Sequence, residues 1–141
     1  MRPTSTPIGL RLFMTSKAVR RAFDEALSAA GGSIPIWLVL TNLKSGPWRS
    51  QHELAAAVGI EGPTLTRHLD GLEQLGLVRR RQVPENRRAV VVELTEDGHT
   101  LHAELLEVVI GFDRRLRRGL SAEDVAVLEE LLERLERNAG S

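Results

Sequence analysis

The residues best placed to do chemistry in this 141-residue chain are arginines, hydroxyls and one imidazole set at helical spacing. Thr64, Arg67 and His68 recur at steps of three and four, so they share one arc of a helix whose Leu65, Leu69 and Leu72 point the other way. An arginine fork on a solvent-facing arc matches the O6 and N7 acceptors of guanine, and one bidentate contact is worth about 1 to 3 kcal/mol of discrimination between bases. Pro63 and Thr66 complete that helix start. Ser50 and Gln51 open the preceding helix, where free amides and the partial positive charge of a helix N-terminus can hold phosphates. Asn86, Arg87 and Arg88 lie in a Pro84-to-Arg88 loop that follows Arg79, Arg80 and Arg81. A cationic loop of this kind suits the DNA backbone and the narrow minor groove of A·T tracts.

Other chemistries find less support. With no cysteine there is no disulfide, thiolate zinc site or thiol switch. No nucleophile elbow, glycine-rich phosphate loop or HExxH motif occurs, so no catalytic residue and no cofactor is expected. His99 and His102 lie three apart and can share a face, but His52 and His68 belong to other helices and no carboxylate cluster completes a metal site. A metal-responsive regulator, and a module that contacts only proteins, remain the alternatives. Zero Tyr, three Phe and two Trp leave no stacking platform for single strands. No apolar run approaches the roughly 18 residues of a membrane span, and Met1 to Pro7 lacks the apolar stretch of a signal peptide, so a cytoplasmic protein is expected.

The net charge of zero hides an asymmetry. Residues 1 to 92 carry 13 Lys and Arg against 7 Asp and Glu, whereas residues 93 to 141 carry 6 against 12. The basic part holds the residues named above, and all of its cations but Lys17 and Lys44 are arginine. The fork of Arg suits phosphate and guanine better than the point charge of Lys.

The elements that must position these residues follow from periodicity and punctuation. Leu12, Val19, Ala22, Phe23, Ala26 and Leu27 mark a helix from Ile8 to about Ala30, stopped by Gly31-Gly32. Ser33 and Pro35 open a second helix through Trp37, Leu38, Leu40 and Leu43, broken at Gly46-Pro47. Trp48-Arg49 is at most a short strand. Ser50-Gln51-His52-Glu53 reads as a capping box for a helix that stops at Gly59, and Pro63 opens the next, which runs to Gly76. Leu77 to Val83 and Ala89 to Leu94 are β-prone, joined by a loop longer than the two-residue type. Thr95 caps a long helix to about Arg118, Gly119 ends it, and Ser121 to Asp124 opens a last helix striped with Val125, Leu128, Leu131, Leu132 and Leu135. The fold class is therefore mainly α with a small β-wing (α+β), a winged helix-turn-helix. The apolar faces of the first and last helices exceed what one such unit covers, and a two-fold homodimer is expected.

The order of elements, with Gly59-Ile60-Glu61-Gly62-Pro63-Thr64-Leu65, Leu75-Gly76-Leu77-Val78, Asn86-Arg87-Arg88 and Leu94-Thr95-Glu96-Asp97-Gly98, resembles the MarR family of bacterial regulators. The likeness is greatest to its SlyA branch and spans about residues 8 to 138. It implies one MarR-type domain over 1–141, with 48–95 as the DNA-binding lobe and 8–45 and 96–138 mainly as dimerisation helices. It further implies a homodimer on a pseudopalindromic double-stranded operator, acting by repression as the commoner mode. By position, Pro63, Thr64 and Arg67 match the base-reading helix start, and Arg88 matches the wing-tip arginine. Asn86 departs from the family's usual Asp. Small aromatic acids bind many members between the dimer helices and the DNA-binding lobe; Trp37 matches a pocket-lining Trp, and Arg20 is suited to pair with a carboxylate. The missing cysteines exclude the thiol-oxidation response of other branches.

Overall fold

A computed structural model describes residues 5–48 and 50–140, and at 87–89 the backbone alone. The order is α1 (Ile8–Ala29), α2 (Ile34–Lys44), α3 (Gln51–Val58), α4 (Gly62–Gln74), β1 (Val78–Val83), β2 (Asn86–Leu94), α5 (Glu96–Leu116) and α6 (Ala122–Ala139). Each expected helix is present. Two compact units are distinguished, residues 1–109 and residues 110–141.

Local chemistry sets the boundaries in the first unit. Ser33 Oγ accepts the Ile36 amide at 3.2 Å, and the Asp24 carboxylate accepts that of Ile34 at 3.2 Å, so two of the orphan amides of α2 are satisfied. Ser50 caps α3 by accepting the Glu53 amide at 3.2 Å. The return bond expected of a full capping box is not made there, so Ser50 caps alone. Pro63 sits in the first turn of α4, one residue after its start at Gly62, where a missing N–H costs nothing. Gly76 takes φ +73°, letting Leu77 N reach back to Leu72 O at 2.9 Å and close the helix.

The wing corrects one expectation. Strands β1 and β2 pair antiparallel from Val78↔Leu94 to Gln82↔Val90, but the next pair is Val83↔Asn86. The closing turn is thus only Pro84-Glu85, and the extra length lies inside β2, where 87–89 loop out as a bulge. Proline at the turn fixes φ and needs no ladder partner, which favours the short closure. Trp48 pairs with Val92 through two 2.8 Å hydrogen bonds, the short strand expected there; Arg49 lies outside the described residues.

Two apolar clusters hold this unit. Val39 and Leu43 of α2, Leu54, Ala55 and Val58 of α3, Leu65, Leu69 and Leu72 of α4, and Val78 and Val92 of the wing form one. Leu27, Leu40 and Leu105 centre the other, with Phe23, Trp37 and Val108 against them, joining α1, α2 and α5. Burying each such side chain is worth about 1.5 to 3 kcal/mol, which fixes the inward face of α4 and so the direction of its outward arc. The start of α5 is stitched to the end of α4: Thr95 Oγ1 accepts the Gly98 amide at 3.1 Å and donates to the Gly76 carbonyl, and Thr95 N donates to Leu77 O at 3.1 Å.

In the second unit, Ser121 Oγ accepts the Asp124 amide at 3.0 Å and Asp124 accepts that of Ser121 at 2.9 Å, a complete capping box for α6. No residue of α6 is buried, and Val127, Leu128, Leu131 and Leu132 stand 40% to 48% exposed. Ile8, Leu10, Leu12, Phe13 and Met14 of α1 are likewise exposed. Among the described residues no single helix is long and apolar enough to cross a membrane.

Candidate nucleic-acid interface

The outward arc of α4 emerges as its inward leucines require. Arg67 is exposed, and its side chain makes no hydrogen bond or ion pair among the described residues. Pro63 and Thr66 are exposed, Thr64 is half-buried, and the Thr66 hydroxyl donates to the Gly62 carbonyl at 3.1 Å. That back-bond orders the Thr66 side chain and leaves its oxygen lone pairs available. Ser50 is committed as a cap, whereas Gln51 lines a depression of about 250 Å³ with Arg80, Arg81 and Gln82, so the α3 start and the wing share one surface. Asn86 is exposed. The side chains of Arg87 and Arg88 lie outside the described residues.

His68 departs from its neighbours. It is half-buried and lines a cavity of about 550 Å³ with Lys17, Arg20, Arg21 and Asp24 of α1 and Ser33 before α2. His68 thus borders both the recognition arc and a cationic hollow, a placement that helical spacing did not reveal.

Arg20 and Trp37, both named for an effector, have different surroundings. Arg20 lines that cavity. Trp37 packs into the second apolar cluster and stacks on His102, with ring centroids 5.0 Å apart and planes inclined by 17°. His102 is 6% exposed, and its Nε2 lies 3.3 Å from Thr41 Oγ1. Burial holds its pKa below the ordinary histidine value, and the nearby charges of Lys44 and His99 push the same way. His99 Nδ1 faces Lys44 Nζ at 3.2 Å, a cation where a metal would need an acidic ligand. Among the described residues no three His, Cys, Asp or Glu side chains converge as a metal site.

The strand arginines are not the free cations that their run suggests. Arg79 and Arg81 pair with Glu93 at 4.0 and 3.3 Å. Such exposed pairs are worth roughly 0 to 1 kcal/mol. Arg80 turns back onto α4, where its guanidinium meets both Asp70 and Glu73. The only signal for this in the sequence is that Asp70 and Glu73 lie three apart on α4; which arginine they would take was not readable.

Comparison with known proteins fits this geometry. The model of the MarR family matches residues 33–90, from the α2 cap to the wing. The chain is similar to the transcriptional regulator PA3341, at 38% identity and a TM-score of 0.77 over 95% of this chain and 98% of that one. It is similar to the transcriptional repressor CouR bound to a 23-mer DNA duplex, at 27% identity and a TM-score of 0.83 over 92% of each chain. NadR in complex with 4-hydroxyphenylacetate is 27% identical, with a TM-score of 0.70 over 96% of each. With a winged helix-turn-helix in the first unit and these relatives, the chain belongs to the MarR family of transcriptional regulators.

Proposed function

We propose that this chain is a homodimeric, sequence-specific binder of double-stranded DNA that represses transcription and releases its operator on binding a small aromatic acid. The observation that carries the reading is Arg67, exposed and without an ion pair on a helix whose other face is locked into the core. Thr64 and Thr66 flank it, Gln51 and the helix starts offer donors to phosphate, and the arginine loop supplies Arg87 and Arg88 to the flanking backbone. The DNA-bound CouR, itself a repressor, lends the fold a precedent.

Residues 48–95 act as the DNA lobe, and 8–45 with 96–138 as the dimer helices. The exposed apolar residues of α1 and α6 support this division, since a monomer rarely leaves such faces in water. A two-fold dimer sets its recognition helices about 34 to 36 Å apart, in successive major grooves.

For the effector, the cavity holding Arg20 favours an organic anion: three cations line it against one Asp, and His68 of α4 lines it too. A ligand carboxylate on Arg20 would bear on the helix that reads bases. Trp37, matched by resemblance to a pocket-lining Trp, stacks on His102.

Arg67→Ala tests the DNA reading. The variant should lose about 1 to 3 kcal/mol of preference between an operator and its guanine-substituted copy while retaining non-specific affinity. Equal discrimination by variant and wild type in anisotropy titrations contradicts it.

A further inference from the structure

We propose that Arg80 is a positioning residue that locks the wing onto the recognition helix, so that the acidic Asp70 and Glu73 strengthen DNA binding instead of opposing it. The proposal rests on the DNA-binding reading above and adds to it an ion-paired network whose guanidinium is engaged by Asp70 and Glu73.

Arg80 is the arginine of its run that is turned inward. Its side chain is 20% exposed, against 65% for Arg79 and 52% for Arg81. Nη2 meets Asp70 Oδ1 and lies 3.2 Å from Glu73 Oε1, while Nε reaches Glu73 Oε2 at 3.4 Å. The same Oε2 accepts the backbone amide of Arg80 at 3.1 Å. Glu73 therefore holds side chain and main chain of one β1 residue together, and Asp70, one turn earlier on α4, braces the guanidinium from the side. Both contacts favour the charged form of Glu73, whose carboxyl sits below the usual carboxylate range chiefly through the Arg80 side chain.

The backbone contact also explains the location. The two-stranded wing has β1 as its outer edge on this side, and an edge amide is otherwise left to water. Strand β1 leaves α4 through the left-handed Gly76, where Thr95 holds the Gly76 and Leu77 carbonyls but, among the described residues, makes no hydrogen bond further along the strand than Leu77. From Arg80 the wing extends four to five residues to its Pro84-Glu85 turn, roughly 13 to 17 Å at about 3.3 Å per residue, so a tilt of about 10° at the base would displace the tip by about 2 to 3 Å. That exceeds the tolerance of a hydrogen bond to a fixed phosphate. Locked to α4, the tip keeps a constant offset from Arg67, and both can meet one duplex without further ordering cost.

The test turns on sign. Removing a negative charge near a DNA-binding surface should by simple electrostatics tighten binding, whereas loss of the lock should weaken it. Asp70→Asn combined with Glu73→Gln should bind the selected duplex about tenfold more weakly than wild type, as expected when both acidic members of a coupled network are lost. Arg80→Gln should lose a similar factor while keeping the wild-type salt slope, because no phosphate contact is removed; a direct contact would flatten the slope by about 0.9. Both variants are checked for melting well above the assay temperature. Hydrogen exchange of amides 78–94 in the free protein reads the lock without DNA, and should be about tenfold faster in both variants. Equal or tighter binding by the acidic double variant, a flattened slope in Arg80→Gln, or unchanged exchange overturns the proposal. A wild-type protein that binds no duplex while the variants show faster exchange would refute the DNA reading and leave the lock standing.

Discussion

Gly98→Ala should destabilise this protein although it replaces glycine by the best helix former inside a helix. Gly98 lies in the first turn of α5, where a Cβ would fall inside the carbonyl oxygen of Leu77, 3.1 Å from its carbon and 3.3 Å from Leu94 Cδ2. The obstacle is backbone, held by its own hydrogen bond from Thr95, so it cannot swing aside as a side-chain tip would. Ala gains about 0.5 to 1 kcal/mol over Gly in a helix interior. Overpacking of a fixed contact costs about 1 to 3 kcal/mol. The net expectation is about 1 kcal/mol of destabilisation, and up to about 2.5, or roughly 3 to 7 °C in Tm for a chain of this size. Gly71→Ala supplies the internal control: its added methyl meets nothing within 4 Å, so the same substitution on α4 should raise stability by up to about 1 kcal/mol. Urea unfolding at one protein concentration, without DNA, compares the two. Equal stabilisation of both variants would refute the close-approach argument, and with it the claim that this junction fixes where α5 leaves the wing.

Three further outcomes are expected. His102 is held neutral by burial, so between its lowered folded pKa and the ordinary value of 6.5 the unfolded chain binds more protons, and stability falls as pH drops through that window; thermal melts from pH 7 to 5.5 should show the fall in wild type and a shallower one in His102→Asn. Arg88→Ala should weaken operator binding and lower the slope of log K against log salt by about 0.9, read by fluorescence anisotropy. Deleting residues 121–141 should yield a monomer in sedimentation and abolish the gel shift, since α6 buries none of its apolar stripe within the chain.

Much of this architecture was legible because it is written in local chemistry. Ser33, Ser121, Gly59 and Gly76 act within one turn of their own positions, and the leucines of α4 set its inward face by spacing alone. The outward arc of Arg67 followed directly. What escaped the sequence depends on contacts between distant segments. Arg80 reads like Arg79 and Arg81 until α4 brings Asp70 and Glu73 beside it. Trp37 matched a pocket position by resemblance, but nothing in its own stretch of sequence showed that it stacks on His102, 65 residues away, or that α1 cations and His68 share a cavity. The loop length between the strands misled for a related reason: composition marks where regular pairing stops, but not whether the excess goes into the turn or into a bulge of β2.

The central claim is that two copies of this chain set their α4 arcs into consecutive major grooves of one duplex. Selection of the purified protein against a random duplex library, followed by sedimentation of the recovered complex, addresses it most directly. An enriched inverted repeat with half-sites centred about 10 bp apart, carrying two chains per duplex, is the expected product. Recovery of no preferred sequence, or of a lone asymmetric site carrying a single chain, would contradict it.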